Sequence, residues 1–399
     1  MTTDTRASER PIAIGARLAA RLRSRAVVVP VTLWAVAHAA IVGWAVVVRA
    51  VVLVLSGHAA AVSPAALFYH WDSVYFGSIA LHGYVGPGTG PTWAAFFPGY
   101  PAAARVALAL VGLPHPDLQQ VVIALEAVTA IASLAAALLV WRLAERRYGD
   151  RVAVAATVLF VLGPYALFLV APYSEALFVA FALGAWLCAE RGRWWEAGLL
   201  AACASVARID GVFLIAGLAV AVAVRLHRRG EPFLAKAFGT AAIGSAGILG
   251  YWAALWAWTG NPTAWFTAQH TGWHRALTWP WITLRNTVES IFVPPWPHSL
   301  QNALDLVFAV LIVTALVVLI RRREWAYATY VGLTALAMMT STTYLSIARS
   351  TVVLFPVTIL VATTATDDRR RWILRTAIAA GLVLLAVNTA LFTNAVWVD

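Results

Sequence analysis

Two cysteines in 399 residues leave no disulfide framework, and both Cys188 and Cys203 fall inside apolar runs, where neither a structural bridge nor a metal site is expected. Charge is scarce as well. Only 12% of the residues are charged against 61% hydrophobic, and the mean hydropathy of +0.78 lies far outside the usage of soluble globular domains. The chain has no GxGxxG, GxxxxGK[ST] or HExxH, and its long loops hold no Asp-x-Asp pair for a metal-bound nucleotide diphosphate. That disfavours a nucleotide-sugar donor.

What fills the chain instead is a bilayer-crossing pattern, with nearly uncharged runs of about 20 residues recurring from Val27 almost to the end. A net charge of +11 raises the question of a nucleic-acid partner. Most of the 29 basic residues, however, gather at 6–25, 142–151, 191–193, 225–236, 321–323 and 369–375, each beside an apolar run. This is the positive-inside pattern of cytoplasmic loops, and no nucleic acid is needed to explain it.

Placing every such cluster inside predicts eleven transmembrane helices, near 27–55, 118–141, 152–171, 175–190, 194–206, 211–226, 236–258, 302–320, 325–343, 350–366 and 372–393. The reading is an all-α polytopic membrane protein. It divides into a cytoplasmic Arg-rich segment at 1–26, a transmembrane domain at 27–393 and a short non-cytoplasmic tail at 394–399. The segment 1–25 reads as a cytoplasmic surface helix, because the apolar run after it is far too long for a signal-peptide core. The apolar stretch 102–113 is too short to span and reads as interfacial or re-entrant. Both long connections, 56–117 and 259–301, then fall on the non-cytoplasmic face, and so should function. Between 206 and 211 the chain should break and turn, and broken membrane helices border cavities.

Within the first connection, Asp72 stands beside Trp71 and Tyr75 at the membrane boundary, a partly desolvated setting that suits a general base. It could equally cap a helix starting at Ser73. Six arginines depart from the cytoplasmic clusters: Arg49, Arg105, Arg208, Arg275, Arg285 and Arg349. A guanidinium forks onto phosphate oxygens, so outward arginines suit a lipid phosphate, with Arg349 foremost. The alternatives are a salt bridge from Arg349 to an outer acid such as Glu175, and a local ion pair between Arg208 and Asp210. Glu175 at the head of a span also complements a helix N-terminus. Gln269, His270, Trp273 and His274 could meet a polar headgroup or simply solvent. The tryptophans of both connections could stack on a sugar or an isoprenoid, or serve as interfacial anchors.

Several ordered blocks together resemble the PIG-V mannosyltransferases, within the wider GT-C superfamily. They are Trp71-Asp72-Ser73 with Ile79-Ala80 and Gly83-Tyr84; Ala95-Phe96-Phe97-Pro98 with Tyr100-Pro101; and Pro172-Tyr173-Ser174-Glu175. Ala207-Arg208 with Gly211, Thr259-Gly260-Asn261-Pro262, Gln269 with Trp273 and Arg275, and Ala348-Arg349 with Phe355-Pro356 follow. His70, Gly99 and Asp210 depart from the family pattern. The resemblance implies a GT-C-type fold and transfer of mannose from a polyprenyl- or dolichyl-phosphate mannose to an acceptor hydroxyl, with inversion and without a metal or other cofactor. It makes Asp72 the base and gives the donor phosphate to Arg349 and Arg208. Substrate contacts fall to His70, Trp71, Tyr75, Tyr173, Glu175, Asp210, Gln269, Trp273 and Arg275. The Arg-for-Lys bias and Ala/Val richness suggest a GC-rich bacterial genome, hence a plasma-membrane enzyme acting on a membrane lipid, glycolipid or glycan. Two other classes stay open: a transporter or flippase of a lipid-linked sugar, and a non-catalytic subunit that binds one.

Overall fold

The computed structural model describes residues 24–57, 67–86 and 89–398; the expected surface helix over 1–25 lies outside the described residues except for its end. All regular structure among the described residues is helical. In chain order the helices are α1 (Arg25–Leu55), α2 (Asp72–His82), α3 (Gly99–Leu110), α4 (Leu118–Tyr148), α5 (Asp150–Val161), α6 (Glu175–Glu190), α7 (Trp194–Ala207) and α8 (Asp210–His227). They continue as α9 (Leu234–Thr259), α10 (Ala264–Trp273), α11 (Pro280–Ser290), α12 (Trp296–Arg321), α13 (Trp325–Met339), α14 (Ile347–Ser350), α15 (Phe355–Ala362) and α16 (Arg371–Thr393).

Each predicted span has a helix at its place, but the lengths differ. Six helices, α1, α4, α8, α9, α12 and α16, are long and apolar enough to cross a membrane, and the chain is a polytopic membrane protein. The helices at the other five spans run from 8 to 16 residues. Local breakers account for two of them. The span predicted over 152–171 stops at Val161 before Gly163-Pro164 and resumes as a 3-10 turn, Ala166–Leu169. Proline has no N–H to donate and disfavours helix in the residue before it. Pro356 likewise sits in the first turn of α15, so the run predicted over 350–366 starts late and ends in a 3-10 turn. The stretch 102–113 forms α3, which buries Tyr100, Pro101, Ala104 and Leu108.

Helix α6 is apolar on nearly every side and correspondingly buried, with Phe178 and Trp186 enclosed. It packs against α4 and α7, and α7 packs against α9. Two glycines set the close approaches that form the site. A side chain on Gly211 would run into the Ser205 backbone, so glycine lets α8 fold back tightly on α7. A Cβ on Gly99 would lie 2.8 Å from the Val206 carbonyl oxygen, which brings the head of α3 onto the end of α7. Gly99, a departure from the family pattern, thus has a packing reason here.

The two long connections meet. The 3-10 turn Pro91–Ala95 packs on α10, and the Tyr251 hydroxyl donates to the carbonyls of Ala94 and Phe96, 2.9 Å to each, fixing the first connection to α9. The second connection is tied to the segment after α13: Thr278 N–H donates to Thr340 O at 2.8 Å, and the Asn286 amide to Thr342 O at 3.0 Å.

Candidate active site

Arg208 interrupts the path from α7 to α8. Its backbone is extended, with φ −155°, and α8 starts two residues later at Asp210. The predicted break is there, and the local pair exists, Arg208 Nε lying 3.0 Å from Asp210 Oδ2. Arg208 also reaches across to the head of α6, where Nη1 lies 2.9 Å from Glu175 Oε1 and donates to Ser174 Oγ at 3.2 Å.

The same Glu175 oxygen accepts from Arg349 at 2.5 Å, and Arg349 Nη1 donates onward to Asp72 Oδ2 at 3.0 Å. Asp72, Arg349, Glu175, Arg208 and Asp210 therefore form one alternating chain of three carboxylates and two guanidinium groups. The bland readings of Arg349 and Arg208 as ion-paired residues are both realised, and they turn out to be parts of a single cluster. Its centre is dry: the Glu175 side chain is 0% exposed and that of Arg349 8%. The guanidinium of Arg349 also lies over the rings of Phe168 and Tyr173, at 4.5 and 4.8 Å, so aromatic faces replace water around its charge.

Asp72 and Arg349 are both aimed by unusual backbone. Asp72 opens α2 directly after Trp71, whose φ is 57°, and Arg349 follows Ser346, whose φ is 67°. Residues with a side chain adopt such values rarely and only where their surroundings hold them. At Trp71 the surroundings are visible: the Tyr173 hydroxyl donates to His70 O at 3.1 Å and Ser73 Oγ to the same oxygen at 2.7 Å. Asp72 is thus the first residue of its helix, and its carboxylate faces Arg349.

The cluster borders a cavity of about 720 Å³. Asp72, Arg208, Asp210 and Arg349 line it, as do Gln269, Trp273 and Arg275 from the second connection. Much of the remaining wall is aromatic, with Phe96, Phe97, Trp252, Trp265 and Phe266. The other expected contacts lie behind or beside this wall. Glu175 and Tyr173 are buried beneath Arg349. Tyr75 stacks on Phe96 at 4.4 Å, Trp71 meets Trp397 edge-on at 5.2 Å, and the His70 ring lies 6.0 Å from that of Phe392. Among the described residues no group of three or more His, Cys, Asp or Glu side chains is disposed to hold a metal ion.

Residues 52–229 match the model of the family described as Mannosyltransferase (PIG-V). Over those residues, just under half of its length, the chain is similar to the PIG-V mannosyltransferase family. It is 36% identical to the GPI alpha-1,6-mannosyltransferase 2 of Rattus norvegicus over 146 residues, which is 36% of this chain and 29% of that protein. The Cricetulus griseus enzyme of the same name is 34% identical over 170 residues, 42% of this chain and 32% of its own. The Homo sapiens enzyme is 32% identical over 176 residues, with the same two shares. In each case the match spans under a third of the relative's length. Asp72, Ser174, Glu175, Arg208 and Asp210 fall inside the family match; Gln269, Trp273, Arg275 and Arg349 lie beyond it.

Three participants escaped sequence reasoning. Ser174 sits within a PIG-V block but drew no role, although a hydroxyl beside Glu175 is a ready partner for a second arginine. Phe168 reads as one more apolar residue of a span. Trp397 lies in what reads as a short tail, yet it lines the cavity.

Proposed function

We propose that the protein is a membrane mannosyltransferase that moves mannose from a polyprenyl-phosphate mannose to a hydroxyl of a lipid, glycolipid or glycan, on the non-cytoplasmic face of a plasma membrane. The observation that carries this is that the Asp72 carboxylate and the Arg349 fork face one cavity and touch each other at 3.0 Å, inside a wall otherwise rich in aromatic rings. A lipid phosphate sugar is an apolar chain, a phosphate and a sugar in sequence, and this lining offers partners for all three. The family match over residues 52–229 supports the sugar transfer. The Arg clusters at the other ends of the spans support the sidedness.

In the reaction the acceptor oxygen attacks the anomeric carbon while the bond from that carbon to the phosphate oxygen breaks, which inverts the centre. Asp72 takes the hydroxyl proton. The leaving phosphate passes from a singly charged diester to a doubly charged monoester, and Arg349 and Arg208 stabilise the charge that appears. The two events are linked through one guanidinium. As Asp72 is protonated its hold on Arg349 Nη1 weakens, just as the phosphate gains the charge that the fork can take up. Glu175, behind both arginines, keeps them apart and charged. Two guanidinium partners answer the leaving group's charge without a metal.

The test is transfer of labelled mannose from polyprenyl-phosphate mannose into a membrane lipid extract by the purified protein, with wild type compared to Asp72→Asn at matched folding. Transfer by wild type and not by the variant supports the reading and identifies the acceptor through its label. Equal transfer by both removes Asp72 from the mechanism. Donor movement across vesicles without transfer replaces the reading with transport.

A further inference from the structure

Helix α12 carries a carboxylate that the site's chemistry does not use. Asp305 is 0% exposed, two turns into a helix otherwise rich in Val, Leu, Ile and Ala. A buried acid on a membrane helix is costly and is retained where something depends on it. Here its two oxygens accept different backbone N–H groups of the segment that bears Arg349: Oδ1 from Ala348 at 2.7 Å, and Oδ2 from Ser346 at 3.2 Å.

Helix α14 has only four residues, so it has almost no tendency to form by itself. Its entry residue, Ser346, holds φ 67°, which costs a side-chain-bearing residue about 1 kcal/mol or more. Neither feature would persist without outside support, and Asp305 is bonded to the strained residue and to the one immediately before Arg349. We propose that Asp305 is a positioning residue for donor recognition: it clamps the Ser346–Ala348 backbone so that the Arg349 guanidinium lies between Asp72 and Glu175, with its fork toward the cavity. This rests on the reading of Arg349 as a phosphate partner.

A positioning role and a purely structural one predict different kinetics. Loss of stability lowers the active fraction, and so the apparent kcat, but leaves the donor KM alone. A displaced Arg349 raises the donor KM. In Asp305→Asn the side chain is nearly isosteric, but its NH₂ end meets a backbone N–H where an oxygen accepted before, so one of the two bonds is lost and the clamp is loosened without a cavity. With purified full-length protein and a fixed lipid extract as acceptor, this variant is expected to raise the KM for polyprenyl-phosphate mannose and to lower kcat/KM by roughly 10²-fold. In the Arg349→Lys background the same substitution is expected to add little, because residues acting through one group are not additive. If Asp305→Asn does not fold, Asp305→Glu keeps the charge while pushing the segment outward, and it too is expected to raise the donor KM. A wild-type donor KM in whichever variant folds, or full additivity with Arg349→Lys, overturns the positioning role. Absence of transfer by the wild-type protein overturns the reading beneath it, and the proposal with it.

Discussion

Helix α6 has a glutamate at each end, and each is tied to arginine, yet the two ends differ in kind. At the Glu190 end, Arg147 Nε lies 2.7 Å from Glu190, its Nη1 3.4 Å from Glu324, and its guanidinium 4.8 Å from the Tyr327 ring. At the Glu175 end, roughly 22 Å away at the rise of an α-helix, Arg349 and Arg208 share one carboxylate oxygen and reach on to Asp72 and Asp210. Both are arginine–carboxylate networks with an aromatic face against a guanidinium. Their settings separate them. Arg147 and Glu324 keep 32% and 35% of their side chains exposed and line no part of the large cavity, whereas the Glu175 cluster is dry at its centre and open to the cavity at its edge. The first network joins α4, α6 and α13 where they meet. The second has charged groups with somewhere to direct them, so among ion pairs the adjoining space is the better marker of chemistry.

The contrast can be broken at several points. The largest effect is expected from Asp72→Asn, which keeps the shape of the side chain but cannot take a proton; transfer should fall roughly 10²- to 10⁴-fold with folding intact, as read by labelled product and by thermal unfolding of the same sample. Arg349→Lys comes next, because an ammonium cannot reach Asp72 and Glu175 while offering a planar fork to phosphate. Its transfer rate should drop roughly 10²-fold, and a rate within a factor of two of wild type would remove the fork from the mechanism. The opposite end should respond in the opposite way. Arg147→Ala is expected to cost about 1 kcal/mol of stability through a part-exposed ion pair and a ring contact. Turnover per folded molecule should stay unchanged, so a loss of turnover there would erase the distinction drawn above.

The smallest effect concerns pH at His70, beside the cavity wall. Burial, followed by the nearby charge of Arg49, holds the His70 imidazole below its usual value. A histidine whose folded pKa is depressed binds its proton more readily in the unfolded chain, so the stability it contributes is present above about pH 6.5 and is lost as the pH falls below that. His70→Gln should flatten part of the fall in unfolding temperature between pH 7.5 and 5.5, and parallel curves for both proteins would show that the loss comes from other groups.

Most of the membrane architecture is legible in the chain, because apolar runs and arginine clusters are local signals. A helix stands at the place of each predicted span, six of them long and apolar enough to cross a membrane, and the break at Arg208 falls at its predicted position. What the runs do not encode is helix length, since Gly163-Pro164 and Pro356 interrupt stretches whose hydropathy continues. Asp72, Glu175, Arg208, Asp210 and Arg349 could each be singled out by residue type, but their joining could not: Asp72 and Arg349 are 277 positions apart and meet only through the packing of α2 and α14 around the head of α6. Asp305 was hidden by its surroundings, one acid within a run that otherwise reads as lipid-facing. Trp397 was hidden by position, since nothing in a tail indicates that it folds back over a cavity.

The family match ends at residue 229, and the cavity does not. Asp72, Arg208 and Asp210 stand within the matched stretch, while Gln269, Trp273, Arg275 and Trp397 form part of the facing wall from residues beyond it. The two walls come from separate parts of the chain, so side chains of the second can be exchanged while the acids of the first stay in place. On the proposed reading, exchange of side chains in that facing wall alters which acceptor the cavity admits while Asp72, Arg208 and Asp210 stay in place.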